Sequence, residues 1–108
     1  MRVFSDFDDT YTSHPEIWGQ VEAIVTGNSW QQMEKVMNDW VGPKQPIFFN
    51  PQDKEELTLL GIVNHKSEVL NRCKVDKYFE DNPEAVSMLK LLCPNTKIVL
   101  VKNERTFI

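Results

Sequence analysis

Apolar residues in this chain come in short runs that alternate with helix-spaced patterns, which is how a parallel βαβ sheet reads. Strands are predicted at residues 2–6 (RVFSD), 21–26 (VEAIVT), 46–50 (PIFFN), 77–81 (KYFED) and 96–102 (TKIVLVK), the last with Ile98 to Val101 in unbroken succession. Between the second and third, residues 29–41 place Trp30, Met33, Val36, Met37, Trp40 and Val41 at helical spacing, and Gly42-Pro43 stops the pattern. Between the third and fourth, residues 57–73 carry Leu59, Ile62, Val63, Val69, Leu70 and Cys73 on one stripe, with Gly61 weakening the helix near its start. Pro83 suits the first turn of a helix running to Leu92, with Val86, Leu89 and Leu92 inward. The connection from Asp9 to Val25 is barely long enough for a parallel crossover, and His14-Pro15-Glu16 predicts a short helix through Trp18. The 103–108 tail is uninformative.

Composition narrows the class without naming it. The 108 residues suit one domain, 41% are apolar and 26% charged, and no apolar run approaches a membrane-spanning length. The N-terminus MRVFSDFDDT meets acidic residues at once and reads as cytoplasmic, with no leader. A net charge of −4 disfavours nucleic acid as a partner. Cys73 and Cys93 have no metal-binding spacing and are expected to be buried, reduced thiols.

In an open parallel sheet, ligands bind beyond the carboxyl ends of the strands, where the strand order reverses. The first predicted strand ends in Asp6-Phe7-Asp8-Asp9-Thr10, the second in Thr26-Gly27-Asn28 and the fourth in Glu80-Asp81-Asn82. Carboxylates gathered on one edge repel each other unless a cation neutralises them, and Mg2+ suits one or two carboxylates plus water and phosphate. Each acidic residue taken singly is also what a solvated loop or helix cap contains; their clustering is what favours a site. Lys66 stands on the apolar stripe of its helix, either snorkelling along the core edge or reaching an anion. His65 is one step off that stripe and is expected to be exposed, and Trp30 to be core.

The run from Arg2 to Thr10 resembles the first motif of haloacid-dehalogenase (HAD) superfamily phosphatases, an apolar strand followed by Asp-x-Asp-x-Thr. Ile24-Val25-Thr26-Gly27-Asn28 resembles the second motif, Lys66 the third, and Tyr78-Phe79-Glu80-Asp81-Asn82-Pro83 the fourth. The resemblance spans residues 2 to 101 and implies a doubly wound, Rossmann-like α/β fold with a five-stranded parallel sheet ordered 3-2-1-4-5. It implies a Mg2+-dependent phosphomonoester hydrolase with Asp6 as nucleophile and Asp8 as general acid and base. Thr26, Gly27, Asn28 and Lys66 would hold the phosphoryl group. Asp6, Asp8, Glu80 and Asp81 would form the metal site, Asp8 through its backbone carbonyl.

Three departures qualify the expectation, one being that residues 51–57, between the third strand and Lys66, offer only a loop or helix start and no second cap insertion. The Asp8–Thr26 interval is too short for a cap domain, and Glu80 stands where aspartate is commoner. A capless site implies a phosphorylated macromolecule, a partner or second copy as lid, or weak action on small phosphates. Tyr11, Trp18 and Trp30 are candidates to line the entrance. Trp40, Phe48, Phe107 and Ile108 could form a dimer patch, although the first two read better as core. The alternative function is a catalytically weak binding or regulatory module, since a fold alone does not certify turnover. A receiver domain fits less well, because its aspartate ends the third strand, where this chain has Phe49-Asn50-Pro51.

Overall fold

A computed structural model of the chain describes residues 1–102; residues 103–108, including Phe107 and Ile108 of the expected dimer patch, lie outside the described residues. Five strands, β1 (Val3–Ser5), β2 (Ala23–Ser29), β3 (Ile47–Asn50), β4 (Lys77–Glu80) and β5 (Lys97–Leu100), form one sheet. All pairings are parallel and the order is β3-β2-β1-β4-β5, as predicted, with no cap domain evident among the described residues. Helices α1 (Met33–Asn38), α2 (Leu59–Arg72) and α3 (Pro83–Leu92) flank it. No helix among the described residues is long and apolar enough to cross a membrane.

Successive strand residues point to opposite faces, and two separate cores follow. Phe4, Val25, Tyr78 and Ile98 pack with Val63 and Leu70 of α2 and Val86 and Leu89 of α3. Val3, Ile24 and Phe79 pack on the other face with Phe7, Tyr11, Ile17 and Val36. Helices α2 and α3 are well started. Thr58 accepts from the Gly61 N–H (3.0 Å), and Asn82 accepts from Glu84 and Ala85 ahead of Pro83. The weak point expected at Gly61 is no break, because that cap holds it and the Gln52 side chain packs where a Cβ would stand.

The second face departs from expectation. The pattern at 29–41 predicts a three-turn helix; the chain starts it as expected at the Ser29 cap, but as a 3-10 turn (Trp30–Gln32) that runs into the six-residue α1, which stops at Asn38 and buries only Val36. At ~100° per residue the six apolar positions spread over roughly 140°, and the sheet covers only part of that arc. Val36 and the partly buried Trp40 face the sheet, while Trp30 (53%), Met33, Met37 and Val41 are exposed. Trp30 is therefore surface and not core. Phe48, also read as core, lies exposed on the edge strand and stacks on Phe4 at 5.9 Å.

The short first crossover folds as two 3-10 helices, Tyr11–Ser13 and Pro15–Ile17; the second, flanked by His14 and Trp18, is the short helix predicted there. Polar tips tie its aromatic rings down. The Tyr11 hydroxyl donates to the Pro43 carbonyl (2.7 Å) and the Trp18 indole to the Tyr11 carbonyl (2.8 Å). Gly42 (φ +101°) lets the chain pass against Trp18, where a Cβ would sit 2.7 Å from the indole.

Candidate active site

The centre of the sheet's carboxyl edge is where the predicted residues meet. The Asp6 N–H extends the ladder by donating to the Phe79 carbonyl at 2.9 Å, which fixes the residue just past β1. Its side chain is buried; Oδ1 accepts from Lys66 Nζ at 3.0 Å and Oδ2 from the Thr10 hydroxyl at 3.1 Å. The turn that returns Thr10 beneath Asp6 passes through Asp9 at φ +57°, a left-handed conformation that Asp and Asn adopt more readily than most residues.

Lys66 is 4% exposed. Its stem lies in the apolar stripe of α2, and its ammonium bridges Asp6 and Glu80, reaching Glu80 Oε1 at 2.7 Å. The choice left open by the sequence, snorkelling or anion contact, falls to the anion. Glu80 Oε1 also accepts from the Tyr78 hydroxyl at 3.0 Å, and Oε2 from the Asn82 N–H at 3.3 Å. Asp81 is half-buried and accepts from the same Thr10 hydroxyl at 3.2 Å. Carboxylate oxygens of Asp6, Glu80 and Asp81 lie within 4.8 Å of one another.

Strand β2 does not end at Thr26, as predicted, but continues through Gly27 and Asn28 to Ser29. Its register with β3 shifts between Val25 and Ser29, so these residues bulge at the strand's end. The Thr26 hydroxyl oxygen accepts from the Asn28 N–H (3.1 Å) and side-chain amide (2.8 Å). Gly27 passes so close to α2 that a Cβ would meet Ile62 at 2.8 Å, leaving only glycine without displacement. The Asn28 amide also donates to Asp8 Oδ2 at 2.7 Å. Asp8 is exposed at the mouth, and its side chain stands outside the Asp6–Glu80–Asp81 cluster. All eight predicted site residues thus border one cleft or contact its lining. Of the three expected entrance aromatics, Tyr11 and Trp18 pack into the second core, Trp30 lies on the surface, and none lines the cleft.

Charge in the buried part is unbalanced. One ammonium faces the two buried carboxylates and the half-buried Asp81. Glu80, with the shorter contact to Lys66, is held below its ordinary pKa by that ammonium and by its Asn82 and Tyr78 hydrogen bonds, which outweigh burial. Burial pushes Asp6 well above its ordinary value despite the opposing pull of Lys66. Asp81 is also raised, mainly by burial. Lys66 itself is raised by Asp6 and Glu80 against the effect of burial, and so stays charged.

Two members of the site carry no predicted role. Thr10 joins Asp6 and Asp81 through one hydroxyl, and Tyr78 braces Glu80. Strand alternation offers the signal for Tyr78, since residues two apart share a face. For Thr10 the signal is its place as the threonine of Asp-x-Asp-x-Thr, four residues after Asp6, whereas its contact with Asp81 spans 71 positions and has no local signal. His65, expected to be exposed, is largely covered. Its Nε2 is a buried nitrogen without a hydrogen-bond partner among the described residues, and burial lowers its pKa against the pull of the Phe48 and Thr26 carbonyls.

Compared with protein-family models, curated proteins and solved structures, the chain matches none.

Proposed function

We propose that this chain is a Mg2+-dependent phosphomonoester hydrolase working through an aspartyl-phosphate on Asp6. The observation that carries the reading is the cluster of Asp6, Glu80 and Asp81 around the single ammonium of Lys66. An all-oxygen donor set with more negative than positive charge suits a hard divalent cation. Asp6 and Asp81 would hold it, with Glu80 occupied by Lys66 and Tyr78. When bound, the ion would supply positive charge that screens Asp6 from the incoming phosphate.

The chain's own groups would do the rest. Thr26, the Gly27 amide, Asn28 and Lys66 would bind phosphoryl oxygens, and Lys66 and Thr10 orient Asp6 for attack on phosphorus. As the Asp6–phosphorus bond forms, the ester P–O bond breaks and the alcohol leaves with a proton from Asp8. Asp8 then takes a proton from water, whose oxygen attacks phosphorus; the Asp6–phosphorus bond breaks, releasing phosphate and restoring the carboxylate. Asn28 holds Asp8 at the mouth, where a leaving group would depart. The reading places this activity in the cytoplasm, and Cys73 and Cys93 are both unpaired thiols.

The test is phosphate release from aryl phosphates with Mg2+ or EDTA, with Asp6→Asn as control. Metal-dependent release by the wild type, lost in the variant, is expected. Release equal to that of the variant across the substrates would leave the binding-module reading in its place.

A further inference from the structure

The cleft over this centre has a volume of about 330 Å3, near the lower end of small-molecule sites. Its lining divides sharply. Asp6, Asp8, Asp9, Glu80 and Asp81 contribute five carboxylates, and among the described residues Lys66 is the single cationic one lining it. That ammonium already contacts two of the carboxylates. The apolar lining comes from Leu57, Leu59 and Ile62 around the start of α2 and from Ala85 at the start of α3. The remaining lining groups, Gly27, Asn28, Gln32 and Asn82, are uncharged.

Among the described residues, a second anionic group on a ligand would find no cation left to meet it here. It would instead meet Asp8 and Asp9, both exposed at the mouth. An uncharged group of about ring size would find aliphatic surface and amides. From this contrast we infer that the cleft selects phosphomonoesters of compact, uncharged, partly apolar alcohols or phenols and rejects esters bearing a second anion. Asp9 is the specificity-determining residue for charge, and Leu57 for the apolar part. This rests on the proposed phosphoryl site, but it concerns ligand choice and can be measured without turnover.

Asp9 suits the experiment because asparagine keeps its shape and tolerates the same left-handed backbone, so Asp9→Asn removes the charge with little change in volume or backbone. With Mg2+ present, affinities are measured calorimetrically for benzylphosphonate and 4-carboxybenzylphosphonate, which cannot be hydrolysed. In parallel, kcat/KM is measured for phenyl phosphate and 4-carboxyphenyl phosphate. The neutral ligand is expected to bind about tenfold more tightly at low salt, with the gap shrinking as salt is added. Asp9→Asn should narrow that gap about threefold or more by improving the carboxylated ligand. Leu57→Ser should narrow it from the other side by weakening the neutral one. Equal affinities, a preference for the carboxylated ligand, or no binding of either phosphonate would overturn the inference. Discrimination between phosphonates without release from any ester would leave the inference standing and remove the hydrolase reading.

Discussion

The two faces of this sheet are covered by different means. One lies under α2 and α3, of 14 and ten residues, whose stripes interlock with Phe4, Val25, Tyr78 and Ile98. The other has a six-residue helix and a pair of 3-10 turns, closed by Tyr11, Trp18 and Trp40. Regular helices carry their polar backbone groups internally, whereas the irregular face needs indole and phenol donors for its carbonyls. The site takes something different from each. The helical face provides Lys66, a charge that must be held rigidly in a dry place. The crossover linking β1 to β2 on the irregular face begins with the turn that carries Asp8, Asp9 and Thr10, groups that must reach a ligand.

Perturbing each face should separate these roles. The largest effect is expected for Lys66→Met, which leaves Asp6 and Glu80 facing each other without their cation and should cost about 3–5 kcal/mol near neutral pH. Chemical denaturation would measure it, and the loss should shrink in acid as the carboxylates protonate. Leu70→Ala or Leu89→Ala, fully buried under the helical face, should cost about 2–5 kcal/mol. Met37→Ala, on the exposed side of α1, should stay within about 0.5 kcal/mol. If Met37→Ala proved as costly as the two leucine variants, the exposed side of α1 would have to be covered in solution.

Metal binding should sharpen the contrast further. Millimolar Mg2+ should raise the melting temperature of the wild type, since a ligand specific to the folded state stabilises it. Asp81→Asn should abolish that rise. Glu80→Gln should chiefly lower the baseline stability, because Glu80 is committed to Lys66 and Tyr78. A full metal response in Asp81→Asn would remove Asp81 from the ion site.

The smallest effect concerns His65, on the helical face. Its folded-state pKa lies below the ordinary value, so the fold prefers the neutral ring. The stability this preference contributes is complete above the unfolded value of about 6.5 and is lost as pH falls through the lower folded value. His65→Gln should therefore flatten the pH dependence of the denaturation midpoint between about pH 7.5 and about pH 5.5. A variant as steep as the wild type in that window would assign the dependence to another group.

Strand and helix positions and the edge that gathers the carboxylates were legible in the chain because they depend on local periodicity, while the strand order came from the motif resemblance. Asp6, Thr26, Lys66, Glu80 and Asp81 could be named from their places at strand ends and on a helix stripe. The length of α1 was not legible, since its six apolar positions do not say which of them the sheet will take. Nor was the exposure of Trp30 and Phe48, which depends on what lies across from them.

What the sequence determined alone is thus the frame: an alternation that fixes strand and helix, and acidic residues placed where strands stop. Tertiary structure decided how that frame is charged. It set Lys66 between Asp6 and Glu80, gave Thr10 two carboxylates to join, and kept Asp8 at the mouth through Asn28. Those contacts link residues far apart in the chain, and burial sets their strength, because removing water is what makes one ammonium among three carboxylates a demand for more positive charge.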